Sequence, residues 1–243
     1  MDWLTAQTLG DLWSGLLVTV LLTAVTSVTS VAVGVAVGGT RMLAGKRTRA
    51  LSVGFIEVFR NVPALIQVIF WAFAVPNLFP TELRPKLFFD NPVMDGLSAV
   101  TGLPLPYYAI AACLGLTLNT GAHIAEIFRG GVRAIPVRQF EAARLLGAGP
   151  WSLFRTVIAP SAIRTSFPAL STRLIHNMKN TALASFVAVP ELFSEIQGSI
   201  TKTFRATEYL LLACVMYLVL SALMTVGLAM VDRRLQRWRL GQG

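Results

Sequence analysis

Long runs without a charged side chain divide the chain into segments. The runs without Asp, Glu, Lys or Arg that matter most are residues 12–40, 61–81, 96–125 and 209–231. A helix of about 20 apolar residues is long enough to cross the hydrocarbon core of a bilayer. The runs therefore predict membrane spans near residues 15–37, 55–75, 107–128 and 209–231.

The segment from residue 166 to residue 190 is apolar but carries Arg173, His176 and Lys179, so hydropathy alone does not assign it. The basic residues supply the orientation. Fourteen of them follow the first span, follow the third span or close the chain, and only four lie in the alternate loops. Cytoplasmic loops are enriched in Lys and Arg, which places the N-terminus outside and the C-terminus in the cytoplasm. An odd number of crossings is then required, so residues 166–188 become the fourth span. The sequence predicts an all-α membrane protein with five transmembrane helices, forming one transmembrane domain over residues 1–243.

Composition agrees with this interpretation. The chain is 54% apolar and 14% charged, with a net charge of +9, whereas a soluble domain has about 25% charged residues. A typical cytosolic enzyme is excluded. Nucleic-acid binding is disfavoured, since the basic residues are distributed among loops that border the spans. Residues 76–106 hold six of the twelve prolines and predict an outer loop rather than a continuous helix.

The segment Glu141–Pro160 lies between the third and fourth spans and is rich in punctuating residues. Gly147 suits the C-terminus of one helix, and Pro150 suits the first turn of another. With Pro160 expected to stop the second helix, the pattern predicts two short helices over about 137–146 and 150–158. Their apolar faces suit either the membrane surface or the groove of a partner protein. Composition alone favours the membrane surface.

The same segment resembles the EAA loop of ABC-importer permeases, through Glu141-Ala142-Ala143, Gly147, Val157 and Pro160. Ala159 stands where leucine is usual, and Val157 replaces isoleucine. The resemblance extends over about residues 14–234. Further blocks that carry it are EVFRNVP (57–63), NTGAHIAEIFRGGVR (119–133), KNTAL (179–183) and VPEL (189–192). Together they are similar to the polar amino acid branch, the histidine/glutamine/glutamate permeases. The FRNVP block and the long outer loop most resemble the glutamate/aspartate permeases.

The resemblance implies the type I ABC importer fold, with a cytoplasmic coupling-helix pair over about 137–158. It assigns the ATPase contact to Glu141, Ala142, Ala143, Arg144 and Gly147. It also implies two cytoplasmic ATPase subunits that bind ATP and Mg, a second permease subunit (identical or related), an extracytoplasmic solute-binding protein and a bacterial inner membrane. No catalytic, metal or cofactor site is expected in this chain. Gly45-Lys46 lacks the Ser/Thr of a phosphate loop, because Arg47 follows.

Lys179 places an ammonium group inside the fourth predicted span. A charge at membrane depth is costly and marks a functional position by default. One hypothesis is that Lys179, Asn180, Thr181 and Ser185 line the translocation path, with Lys179 attracting a carboxylate. The alternative is a structural ion pair between Lys179 and Glu191 or Glu195, and the two remain equally favoured.

Other features predict local structure. Glu126 with Arg129, and Glu57 with Arg60, are spaced as helix neighbours that can pair, which is favoured over substrate contact for each. Gly34 and Gly38 form a G-x-x-x-G motif that permits close helix packing, and the alternative is that these small residues face lipid. Two other classes of protein are disfavoured. A membrane-embedded enzyme would need a catalytic constellation, and neither H-E-x-x-H nor G-x-S-x-G occurs. An ATP-independent carrier often has internal repeats, which are not evident here.

Overall fold

The computed structural model describes residues 4–43, 45–90, 92–102 and 106–240. The two ends of the predicted domain 1–243, residues 1–3 and 241–243, lie outside the described residues. Within the described ranges every regular element is helical, as the sequence predicts.

The helices follow one another with short connections. In chain order they are α1 (Ala6–Leu43), α2 (Lys46–Asn61), α3 (Ala64–Asn77), α4 (Pro92–Thr101), α5 (Tyr107–Arg133), α6 (Val137–Leu145), α7 (Pro150–Leu153), α8 (Ala159–Asn180), α9 (Leu192–Thr203) and α10 (Ala206–Leu240). Within the described residues, four short helical segments have a different pitch. One, Phe70–Ala74, lies within α3, and the others lie between helices: Pro85–Phe89, Phe154–Ile158 and Thr181–Val187.

Three of the described helices are long and apolar enough to cross a membrane: Ala6–Thr40, Tyr107–Arg133 and Ala206–Gln236. They contain the first, third and fifth predicted spans. The pair α2 and α3 passes the same test only when taken together. The predicted fourth span falls on α8 and the 3₁₀ turn after it, and its assignment as a crossing stays a prediction.

The predicted span 55–75 is not one straight helix. α2 ends at Asn61, and the chain bends by 104° before α3. Val62 has extended backbone, with φ −82° and ψ 130°, because the ring of Pro63 disfavours helical geometry in the residue before it. The bend leaves carbonyl groups at the end of α2 without partners in the helix. The Asn119 side chain of α5 donates to two of them, those of Phe59 and Val62.

The expectation that Pro160 ends the second short helix is wrong. α7 continues through the wide turn Phe154–Ile158 directly into α8. Pro160 is the second residue of α8, following a turn that has already interrupted the regular hydrogen-bond ladder. A proline lacks an N–H, and near the start of a regular helical stretch that loss costs little. The predicted first helix, in contrast, closely matches α6.

The chain folds into two compact units, each assembled from three separate stretches of sequence. The first unit comprises Met1–Ser27, Pro63–Thr117 and Asn177–Ser221. One of its cores joins α1, α3 and α5 around Val18, Val68 and Leu116. Gly115 allows this approach, since a Cβ there would lie 2.9 Å from the backbone nitrogen of Val68. A second core of this unit gathers Leu12, Leu192, Ile196 and Tyr209.

The second unit comprises Val28–Val62, Leu118–His176 and Ala222–Gly243. Its cores centre on Phe128 with Phe154 and on Ile124 with Leu170. The predicted G-x-x-x-G motif packs α1 against α5 inside this unit. A Cβ on Gly34 would lie 2.5 Å from Ile124 Cγ2, and one on Gly38 would lie 2.9 Å from Phe128.

Candidate functional site

The loop between α6 and α7 is shaped by Gly147. Its φ of +78° lies in the left-handed region that favours glycine. The Gly147 N–H donates to the Arg144 carbonyl at 2.9 Å, and the Ala148 N–H donates to the Ala143 carbonyl at 3.0 Å. These bonds satisfy the last carbonyls of α6 and turn the chain into α7.

Four of the five residues predicted to contact an ATPase are exposed. They are Glu141, Ala142, Arg144 and Gly147. The fifth, Ala143, is half-buried and packs on the Phe128 core of the second unit. The helix thus has one anchored position, with its polar and small residues available to a partner.

Three large apolar side chains of the same loop also lie in the open. Leu145 and Leu146 are each 88% exposed, and Trp151 is 65% exposed. Trp151 stacks on Phe154, with ring centroids 5.7 Å apart, which ties its ring to the core. Exposed apolar groups of this size commonly mark an interaction surface. Leu145, Leu146 and Trp151 belong to the apolar faces that the sequence identifies on this loop, and the structure leaves all three exposed.

The predicted translocation residues form the end of α8 and the 3₁₀ turn of the first unit. Lys179 is exposed and Asn180 half-buried. The two hydroxyls serve the backbone: Thr181 Oγ1 donates to the Met178 carbonyl at 2.7 Å, and Ser185 Oγ donates to the Ala182 carbonyl at 2.8 Å. Lys179 and the Asn180 amide are therefore the groups of this set that are open to a ligand.

Glu191 is fully buried in the first unit, and its carboxylate is held by neutral donors. It accepts from Thr19 Oγ1 at 3.2 Å, from the Tyr217 hydroxyl at 2.9 Å and from the Ser194 N–H at 2.9 Å. The last of these bonds caps the N-terminus of α9. In the part of the chain that the structure describes, no ion pair joins Lys179 to Glu191 or to Glu195. The structural pairing considered for Lys179 is therefore not formed among these residues.

A polar cluster in the second unit escapes prediction from the sequence. Arg173 of α8 donates from Nη2 to Asn119 Oδ1 at 2.6 Å and to Thr120 Oγ1 at 3.3 Å. Asn119 Nδ2 donates in turn to the Phe59 carbonyl at 2.9 Å and the Val62 carbonyl at 3.4 Å. Those carbonyls belong to the end of α2 that the bend at Pro63 exposes. The sequence shows Arg173 as a charge within a predicted span, but nothing in the sequence indicates that Asn119 is its partner.

The predicted local ion pairs are present. Arg129 Nε donates to Glu126 Oε2 at 2.8 Å. Arg60 Nη2 lies 3.6 Å from Glu57 Oε1, and Glu57 also accepts from the Asn61 side chain at 3.0 Å. Both carboxylates of this region are thus engaged with side chains of their own helix.

Helices long and apolar enough to cross a membrane, with a loop that exposes large apolar side chains, are typical of a membrane-embedded subunit that binds a partner protein. The chain belongs to the family described as binding-protein-dependent transport system inner membrane component, which matches residues 30–237. The resemblance to ABC-importer permeases is confirmed, and the chain is a transport subunit without an ATPase site of its own.

Named relatives support the assignment. The glutamine transport system permease protein GlnP of Escherichia coli (strain K12) is 32% identical over 204 residues, which cover 84% of this chain and 83% of GlnP. The glutamate/aspartate import permease protein GltJ of the same strain is 25% identical over 230 residues, covering 94% of this chain and 88% of GltJ.

Solved structures share the fold. The crystal structure of an amino acid ABC transporter with histidines aligns with a TM-score of 0.71 at 25% identity, covering 94% of this chain and 95% of that one. The inward-facing MetNI methionine ABC transporter aligns with a TM-score of 0.69 at 18% identity, over 96% and 99% of the two chains. The second likeness concerns the fold alone.

Proposed function

We propose that the chain is the transmembrane subunit of an ABC importer that moves a polar amino acid, glutamate or aspartate, into the cytoplasm. GltJ, similar over 94% of this chain, is a glutamate/aspartate import permease. The proposed topology has five spans, the N-terminus outside and the C-terminus in the bacterial cytoplasm. The coupling-helix pair over about 137–158 then lies on the cytoplasmic side.

The observation that carries the proposal is the exposed coupling loop. Leu145 and Leu146 are almost fully accessible on a loop whose neighbours Glu141 and Arg144 are exposed too. An isolated chain gains nothing from presenting these leucines to water, whereas an ATPase groove would bury them. The energy for transport then comes from ATP and Mg bound by two partner ATPase subunits.

The remaining partners follow from the family. A solute-binding protein delivers the amino acid on the outer side, and a second permease subunit, a copy or a relative of this chain, completes the pathway. In this assembly Lys179 and Asn180 face the translocation path, where Lys179 attracts a carboxylate. The exposure of Lys179, and the absence of an ion pair with Glu191 or Glu195 among the described residues, support this role.

Lys179→Met tests the role in the path. We expect uptake of the amino acid by the reconstituted complex to fall, because the cation that attracts the carboxylate is gone. Lys86→Met, at an exposed position of the outer segment, is the control and should leave uptake unchanged. Uptake by the Lys179→Met protein with wild-type affinity and rate would remove Lys179 from the path.

The substrate is tested with the complete complex in proteoliposomes. ATP hydrolysis and uptake are measured with glutamate, aspartate, glutamine or arginine in the presence of the binding protein. Stimulation by glutamate and aspartate supports the proposal, and stimulation by arginine only contradicts it. Uptake that continues without ATP would indicate an ATP-independent carrier.

Glutamine is the second candidate substrate. GlnP is more similar in sequence than GltJ, at 32% against 25% identity, although over a shorter part of the chain. Stimulation by glutamine without any by glutamate would replace the acidic substrate by glutamine and leave the importer itself standing.

A further inference from the structure

Arg173 is a half-buried guanidinium with no carboxylate beside it. In the described ranges no Asp or Glu side chain lies within 4.0 Å of it, and both of its hydrogen bonds leave from Nη2. Nε is enclosed and has no partner at all. An intramembrane cation that lacks a counter-ion is costly, so such a group normally faces an anion or a polar pathway.

Asn119 fixes the position of this guanidinium. The Asn119 amide donates to the carbonyls of Phe59 and Val62 and accepts from Arg173. The C-terminus of α2 carries a partial negative charge. The Asn119 amide connects this helix end to the guanidinium through hydrogen bonds. One edge of Arg173 is therefore held in place by neutral groups, while its positive charge is not neutralised.

The charged groups that the structure describes around Arg173 in the second unit supply no anion to it. His123 lies close enough to Arg173 and Arg60 for their charges to act on it. The nearby carboxylates are engaged elsewhere, Glu57 with Arg60 and Asn61, and Glu126 with Arg129. Among the residues described, this region therefore lacks an anion that would balance the positive charge of Arg173.

We propose that Arg173 binds the side-chain carboxylate of the transported amino acid and thereby selects acidic substrates over their amides. The proposal rests on the proposed function and adds its specificity-determining residue. With Nη2 engaged and Nε enclosed, the N–H groups of Nη1 are the ones left to donate charge-assisted hydrogen bonds to a carboxylate. The neutral amide of glutamine offers one acceptor oxygen and no charge, and its NH₂ group faces donors, so the same position discriminates against it.

The test compares uptake kinetics of the reconstituted complex with glutamate and with glutamine. In Arg173→Gln we expect the KM for glutamate to rise by about tenfold or more, with the KM for glutamine changed little or lowered. Arg164→Gln is the matched control, since Arg164 is an exposed arginine of the same helix. It should keep the glutamate-to-glutamine preference of the wild type.

The outcomes separate this inference from the proposed function. Wild-type uptake of glutamate decides the function, and the change of preference in Arg173→Gln decides the inference. Equal loss of both substrates, or no change in either, would mean that Arg173 is structural or pairs with a carboxylate of the neighbouring permease subunit, and would overturn it.

Arg173→Lys covers the case in which the Gln variant does not assemble. This variant keeps the charge and loses the planar fork, so the KM for glutamate should rise while the KM for glutamine stays at its wild-type value. Parallel shifts of the two KM values in the Lys variant would overturn the proposal.

Discussion

Replacing Leu145 and Leu146 by alanine should uncouple the permease from its ATPase without unfolding it. Both side chains are 88% exposed on the loop after α6. Exposed positions away from packing contacts change the free energy of unfolding by about 0.5 kcal/mol or less. The cost of the double substitution should therefore appear in partner binding.

The size of the effect follows from the area available for burial. A Leu side chain that goes from nearly full exposure to full burial contributes about 1.5–3 kcal/mol, so each truncation to Ala should cost about 2 kcal/mol of association free energy. At about 1.4 kcal/mol per factor of ten, Kd for the ATPase rises roughly 30-fold for each single variant. Substrate-stimulated ATP hydrolysis falls at ATPase concentrations below the new Kd.

The assay measures ATPase binding to immobilised permease and, in parallel, the melting temperature of the permease alone. Leu218→Ala is the matched control, because Leu218 is 69% exposed on the apolar helix α10, far from the loop in sequence. It should leave Kd unchanged. Wild-type Kd in the Leu145/Leu146 double variant would refute the docking argument, and a large drop in its melting temperature would refute the claim that these residues are free of packing.

Three further predictions concern backbone and buried groups. Gly147→Ala should weaken ATPase coupling and cost about 1 kcal/mol of stability, because Gly147 has a φ of +78°. Gly147→Asn should have a smaller effect, since Asn tolerates the left-handed region. Substrate-stimulated ATP hydrolysis by the two variants is compared. Gly131→Ala should lower the melting temperature sharply, since the added Cβ would lie 2.5 Å from the Ala162 carbonyl oxygen. A Cβ at the adjacent Gly130 meets nothing within 4 Å, so Gly130→Ala should be neutral or stabilising. Equal melting curves for the two variants would contradict this. Glu191→Ala should destabilise the first unit by about 1–3 kcal/mol, because the Thr19 and Tyr217 hydroxyls lose their acceptor. Glu191→Gln should lose less stability. A denaturation series in which the Gln variant is less stable than the Ala variant would contradict this.

Much of the fold can be predicted from local sequence. Charge-free runs predict α1, α5 and α10 because a membrane helix must satisfy its backbone internally and present apolar side chains to lipid. Gly147 and Pro150 predict the end of α6 and the start of α7 because their backbone restrictions act within one turn. Pro63 marks the break after α2, but the 104° bend depends on what packs around it.

Two expectations show where local rules stop. Pro160 favours the end of a helix, yet the wide turn Phe154–Ile158 carries the chain past it. Lys179 is a plausible partner of Glu191 by sequence, and the fold instead surrounds Glu191 with two hydroxyls. The wide turn is closed by local bonds, such as the one from the Ala159 N–H to the Phe154 carbonyl, whereas the hydroxyls at Glu191 come from helices that only the fold brings together.

The sequence by itself determined the class of protein and the position of the loop between α6 and α7, and it predicts the side on which the loops lie, because these follow from hydropathy, charge and short motifs. The tertiary structure alone decided which polar groups meet. Arg173 and Asn119 are 54 residues apart, and Thr19 and Glu191 are 172 apart. A charge buried at membrane depth is stabilised only by the particular groups that packing brings to it, and that pairing depends on helices far apart in the chain.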